Sequence, residues 1–181
     1  ASIVLPISSF SNSPKTPYGM ILYTVRDDMK KDPVKTLEKI AEIGFKVIEA
    51  ADYGNRKFYG MKPADFKQKV DSLGMKLISS HHSVNEKNIS EIIEDANSAG
   101  LEYVVCPWMK SGNIDYYKNK TELFNQLGEA FKKAGIQFCY HNHDFEFKLT
   151  DGLIPYDILL EGTNPEFVSF EMDLFWTTKA G

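Results

Sequence analysis

Cysteine is scarce in this chain. Cys106 and Cys139 are the two present among 181 residues, too few for a disulfide-stapled scaffold and too far apart for a close-spaced zinc motif. Both look like strand-end thiols. There is no long run of Lys and Arg, and the net charge is −4. Phosphate backbones and anionic membranes need clustered positive charge, so neither nucleic acid nor a membrane surface is the expected partner. No apolar run reaches the length of a membrane span. No glycine-rich phosphate loop follows the first apolar run, which removes a frequent mark of an open nucleotide-binding sheet. What is present is a globular composition, 43% hydrophobic and 25% charged, enough for one domain with a sizeable core and a small polar ligand.

Residues 1–10 (ASIVLPISSF) are small and apolar, and 11–17 (SNSPKTP) are polar. This reads as the tail of an export signal followed by a linker, which divides the chain into a signal remnant or disordered linker at 1–16 and a folded domain at 17–181. A periplasmic or otherwise exported location is the expectation on that reading; the cytoplasm is the alternative.

Four segments repeat one pattern, in which a helix-like stretch ends at glycine and an apolar run begins at once. The glycines are Gly44, Gly74, Gly100 and Gly135. Glycine just past a helix end adopts the left-handed conformation that other residues resist, so each marks a helix-to-strand turn. Asp32-Pro33 and Lys62-Pro63 open two of the helices. Val34, Leu37, Ile40, Ala41 and Ile43 or Gly44, then Phe66, Val70 and Leu73, follow at near-helical spacing. Asn88 or Ser90 caps a third, with Ile92, Ile93, Ala96 and Ala99; Leu123, Leu127, Ala130, Phe131 and Ala134 stripe a fourth. Strands are expected over 20–24, 45–49, 76–80, 103–106, 136–140 and 168–173, with a short helix near 156–161. Alternating strands and helices imply an α/β fold with a parallel sheet.

The polar residues gather at the strand ends. They are Tyr23 and Arg26, Glu49, His81 and His82, Cys106 and Trp108, His141 and His143, and Asp173 and Trp176. A (β/α)8 barrel collects its active site at such ends from many strands, whereas an open sheet focuses on one switch point. The fold class expected is therefore an incomplete (β/α)8 TIM barrel of about six βα units, since a full one typically takes roughly 250 residues.

Two strands carry the chemistry. In 136–140 and its continuation, alternation sends Phe138 and Tyr140 to one face and Cys139, His141 and His143 to the other. In 168–173, Val168, Phe170 and Met172 alternate with Ser169, Glu171 and Asp173. Imidazole and carboxylate on neighbouring strand ends are how divalent metal sites are built, which nominates His141 and Asp173 as ligands. Glu171 is expected as an interior hydrogen-bond partner. His81 and His82 point to opposite faces, so one at most contacts substrate. Phe58 and Tyr59 are expected on a loop, where exposed aromatics often bind ligand.

Taken together, several motifs resemble the sugar phosphate isomerase/epimerase family, with its xylose isomerase-like barrel. They are Leu22-Tyr23-Thr24-Val25-Arg26-Asp27, Lys57-Phe58-Tyr59-Gly60-Met61, Ser79-Ser80-His81-His82, Tyr140-His141-Asn142-His143-Asp144-Phe145-Glu146-Phe147 and Phe170-Glu171-Met172-Asp173-Leu174-Phe175-Trp176. The resemblance covers residues 17–181. It implies one divalent ion, Mn, Mg, Co or Zn, held by ligands from the last four strands of the barrel. Asp173 matches the strand-six aspartate. His141 stands where many members have a glutamate, Trp176 where some have histidine, and the strand-seven and strand-eight ligands have no counterpart.

The implied activity is isomerisation or epimerisation of a keto sugar, sugar phosphate or polyol, by proton abstraction next to a carbonyl. A keto-sugar dehydratase or lyase and a non-catalytic carbohydrate-binding barrel are the alternatives. His141 and His143 are the catalytic candidates. Tyr23, Glu49, His81, Trp108 and Trp176 are the substrate-binding ones, and the partner is a small carbohydrate, with self-association left open. A six-unit barrel lacking two of four ligands is expected to be inactive by itself and to expose apolar side chains at its first and sixth strands.

Overall fold

The computed structural model describes residues 18–181; the signal-like segment 1–10 and the 1–16 division lie outside them. Strand β1 (Gly19–Ile21) runs into a 3-10 turn (Leu22–Val25), then helices α1 (Arg26–Lys31) and α2 (Pro33–Ile43). β2 (Val47–Ala50) is followed by a hairpin, β3 (Tyr53–Gly54) with β4 (Lys57–Phe58), and by α3 (Pro63–Ser72). Then come β5 (Lys76–His81) with α4 (Ile89–Ala99), and β6 (Tyr103–Cys106) with α5 (Ile114–Lys133). β7 (Gln137–His141) leads through a 3-10 turn (Phe145–Phe147) to α6 (Pro155–Gly162), and β8 (Val168–Glu171) to α7 (Leu174–Ala180). No helix among the described residues is long and apolar enough to cross a membrane.

Six strands form one parallel sheet in the order β1-β2-β5-β6-β7-β8. Chain order equals spatial order, so each helix crosses back over the same face. This is the winding of a (β/α)8 barrel, of which six strands are described here. β1 and β8 each pair on one side among the described residues. Met172, Leu174 and Phe175, just beyond β8, and Tyr18, just before β1, are exposed.

The boundaries follow from local chemistry. The Asp32 side chain accepts the Lys35 backbone N–H at 3.0 Å and Pro33 occupies the first turn of α2, both features of a helix start. Gly44 ends α2 at φ +108°, and Gly74, Gly100 and Gly135 repeat that left-handed turn. The core lies between the outer face of the sheet and the helices. Phe138 stacks on Phe131 at 5.7 Å between ring centroids and meets Phe124 edge-on at 5.5 Å. Ile48, Leu77, Val104 and Val168 continue the same layer.

Three expectations need correction. The first strand ends at Ile21, because Leu22 drops its side chain into the core and the chain coils into a 3-10 turn, which leaves Tyr23 on a turn. Phe58 is no exposed loop aromatic: it is fully buried in the hairpin and stacked on Phe66. Ile43, at the end of the α2 stripe, is 72% exposed because it faces away from the sheet.

Gly128 fixes the approach of α5 to the end of the α6–β8 connection. A Cβ there would lie 2.4 Å from the Phe167 carbonyl oxygen. Replacing a helix-interior glycine by alanine ordinarily stabilises by about 1 kcal/mol. Gly128→Ala is expected to do the reverse, costing about 1–3 kcal/mol through overpacking against backbone, as read from urea unfolding. A stabilised variant would contradict this packing.

Candidate active site

Period-two alternation places Glu49 of β2, Ser79 and His81 of β5, His141 of β7 and Glu171 of β8 on the face opposite the helices. The register completes the gathering. His141 and Glu171 are paired across β7 and β8. An irregularity between Ile48 and Glu49 shifts the β2–β5 register so that Glu49 sits opposite Ser79. The Ser79 hydroxyl donates to Glu49 Oε2 at 2.6 Å.

The His141 Nδ1 and Glu171 Oε1 atoms are 2.8 Å apart, a hydrogen bond in which an ionised carboxylate accepts from the ring. The other ring nitrogen, Nε2, is 3.6 Å from Asp173 Oδ2. Asp173 divides its carboxylate: Oδ1 accepts the Trp176 N–H at 2.9 Å and caps α7, while Oδ2 faces His141. His81 Nε2 lies 3.2 Å from Glu49 Oε1 and 3.5 Å from Glu171 Oε1, yet it is buried and makes no aligned hydrogen bond. His81, His141 and Glu171 each bring a donor atom within 4.8 Å of the others.

Electrostatics sort these groups. Burial alone would depress His81, but the adjacent Glu171 and Glu49 outweigh it and raise the imidazole to about 9. Burial, and then the Glu171 charge, push Glu49 up. Burial also acts to raise Glu171, but its contacts with His141, His81 and Glu49 hold it well below the usual carboxylate range. Glu171 is therefore the ionised member of the pair and Glu49 the one inclined to keep its proton. Burial, helped by His141, lowers His143.

Above this floor opens a cavity of about 430 Å³ lined by Tyr23, His81, Trp108, His141, His143, Asp173 and Trp176, with Ile21, Thr24 and Pro107. His143 lies against Trp176, with ring centroids 5.1 Å apart, and stacks on Phe145. Trp108 and Tyr23 stand on the rim, 58% and 57% exposed. Glu49, expected as a substrate contact, lies a layer lower, against His81 and Ser79, because its β2 position is deeper along the strand. Ser79 went unrecognised in the sequence. The signal was its place two residues before His81, on the same strand face.

His82 points the other way. It is 2% exposed, packed on Tyr53 at 4.3 Å and on Phe58, with neither ring nitrogen hydrogen-bonded. Burial, with His81 alongside, pushes it down to about 3, so it is a neutral packing group. The hairpin that covers it is fastened to α4: the Tyr53 hydroxyl donates to Asp95 at 2.6 Å and Arg56 donates to both Asp95 oxygens, at 2.7 and 3.1 Å. Asn55 and Arg56, at the hairpin tip, have positive φ of 50° and 58°, a conformation that the Arg56–Asp95 contacts help to hold.

No family model and no curated protein sequence matches the chain. Solved structures do match. A sugar phosphate isomerase/epimerase from Parabacteroides distasonis ATCC 8503 is 29% identical with a TM-score of 0.77, over 90% of this chain and 70% of that one. A second sugar phosphate isomerase/epimerase from the same organism is 26% identical with a TM-score of 0.76, over 94% and 72%. The IOLI protein, solved with a binding zinc atom, is 11% identical with a TM-score of 0.70, over 92% and 66%; at that identity the likeness is one of fold. The chain thus resembles sugar phosphate isomerase/epimerase structures, and its six-stranded α/β sheet matches part of their xylose isomerase-like TIM barrel.

The hairpin latch makes a prediction about acid. Burial opposes ionisation of Asp95, but Arg56 and Tyr53 prevail and lower its pKa. A depressed carboxylate contributes stability above its unfolded value of about 3.9, and loses it as pH falls through the folded value. Wild-type stability is expected to decline below about pH 4 more steeply than that of Asp95→Asn, measured by urea unfolding from pH 7 to 3. Parallel curves would remove the latch from the account.

Proposed function

We propose that the cavity is the catalytic site of a divalent-metal-dependent isomerase or epimerase acting on a keto sugar, sugar phosphate or polyol. The observation that carries the reading is His141 between two carboxylates. Its Nδ1 meets Glu171 at 2.8 Å, while Nε2 stands 3.6 Å from Asp173 Oδ2. That distance is too long for a hydrogen bond and suits two donor atoms sharing one ion, since ligands about 2 Å from a metal lie about 3 Å or more apart. An imidazole with a carboxylate is a donor pair suited to Zn, Mn or Co.

His141 and Asp173 would hold the ion, with Glu171 orienting the His141 ring through Nδ1. When bound, the metal supplies Lewis-acid polarisation of a substrate carbonyl and its neighbouring hydroxyl. His143 lines the cavity beside Trp176. On this reading its ring takes a proton from the carbon next to that carbonyl, the electron pair delocalising into the carbonyl, and returns the proton to the neighbouring carbon. Tyr23, Trp108 and Trp176 offer flat faces to sugar C–H surfaces. His81, with its Nε2 turned to Glu49 and Glu171, adds its ring to the cavity wall as a substrate contact. Histidine at 141, in place of the glutamate of many relatives, leaves His143 as the one base on this face: that serves isomerisation, in which the proton returns to the neighbouring carbon on the same face, whereas epimerisation calls for a second proton donor across the sugar ring.

Calorimetric titration with Mn²⁺, Co²⁺ and Zn²⁺ tests the site. About one ion per chain is expected, with Asp173→Ala weakening affinity more than Glu171→Gln, whose amide oxygen still accepts from His141. The Glu171→Gln loss should stay within about 10–100-fold, the usual effect of a supporting residue. The reverse order would make Glu171 the ligand, in the His81, His141 and Glu171 cluster. Sugar binding without any metal would turn the reading toward a carbohydrate-binding barrel.

A further inference from the structure

We infer that Asn142 is a positioning residue that sets the distance between His141 and Asp173; the inference rests on the metal site just proposed. β7 and β8 pair as far as His141 and Glu171. Both chains then leave the ladder, and Asp173 lies two residues beyond the last pair. Nothing in the backbone pairing holds it beside His141.

The Asn142 side chain, fully buried, takes over where the ladder stops. Its Oδ1 accepts the Asp173 backbone N–H at 2.9 Å, and its Nδ2 reaches the Asp173 carbonyl at 3.4 Å and the Thr177 hydroxyl oxygen at 3.3 Å. A primary amide carries the same donor and acceptor as a peptide group, so the side chain serves as one more rung between the strands. The Thr177 hydroxyl in turn donates to the Asp173 carbonyl at 2.9 Å. The rung fixes Asp173 by its backbone alone. Its Oδ1 is then free to cap α7, and its Oδ2 to face His141.

The arrangement is economical in sequence. Asn142 sits between the two cavity histidines, and alternation points it away from the cavity they line. It touches neither substrate space nor a candidate donor atom, which separates positioning from catalysis. Aspartate in its place would keep an acceptor for the Asp173 N–H but lose the donor to Thr177 and the Asp173 carbonyl. Alanine loses both.

The test uses Co²⁺, whose visible absorption reports the geometry around the ion. In wild type and in Asn142→Ala and Thr177→Val, Co²⁺ affinity and spectrum are measured beside the unfolding midpoint. Asn142→Ala is expected to bind Co²⁺ about 10–100-fold more weakly, the usual scale for a supporting residue, with altered visible bands in the folded, metal-saturated protein. Thr177→Val, which removes one anchor of the rung, should fall between it and wild type. A purely structural role would lower the midpoint and leave the saturated spectrum unchanged, and that result overturns the inference. Wild-type affinity in both variants overturns it too. Should Asn142→Ala fail to fold, Thr177→Val decides by the same two readouts. Absence of Co²⁺ binding by the wild type would instead refute the metal site itself.

Discussion

The contact between His141 and Glu171 is the constraint around which the rest is arranged. A carboxylate inside a sheet is costly to desolvate unless a donor meets it, and an imidazole is costly to leave unpaired. Register puts the two side by side on neighbouring strands at 2.8 Å. His81 and Glu49 extend the pair into a chain in which imidazole and carboxylate alternate, closed by Ser79. Each member is tolerable because the next compensates it. A one-residue slip in any of β2, β5, β7 or β8 would turn its polar group toward the helices, so the network specifies register as firmly as the apolar face does.

From that floor upward, rigidity gives way to exposure. Glu49, Ser79 and His81 are carried by strands with neighbours on both sides, and Glu171 by β8, paired to β7, where the ladder leaves little freedom. Asp173 stands just past a strand and is fixed by two hydrogen-bonded attachments, the Asn142 rung and the α7 cap. Tyr23 lies on a 3-10 turn and Trp108 on the connection after β6, both exposed at the rim. Groups proposed to meet an ion sit on or just past strands, while Tyr23 and Trp108, proposed to meet a sugar face, sit on connections, the usual partition between scaffold and recognition.

The buried histidines show how one sequence signal divides in space. His81 and His82 are adjacent, yet one is raised to about 9 by two carboxylates and the other driven to about 3 among aromatic rings. The sheet separates them by a few ångströms and gives them opposite electrostatics. The Arg56–Asp95 latch, the hairpin and the Tyr53 ring surround His82 alone, so the outer face of β5 is a packing surface and the inner face a chemical one.

Most of the architecture was legible in the chain because it rests on local rules. Glycines that end helices, the Asp32-Pro33 start and the alternation in 136–140 and 168–173 act over a few residues, and they were enough to place the six strands and to put His141 and Asp173 on one side. The resemblance carried by the strand-end motifs identified the barrel type. What stayed hidden depends on groups distant in sequence. The partnership of Glu49 with Ser79 comes from a register shift, and the burial of Phe58 from a hairpin folding over α3. The rung made by Asn142 exists only because β8 comes to lie beside β7. Local periodicity fixes which way a side chain points; strand register, set by the packing of the whole sheet, decides what it meets.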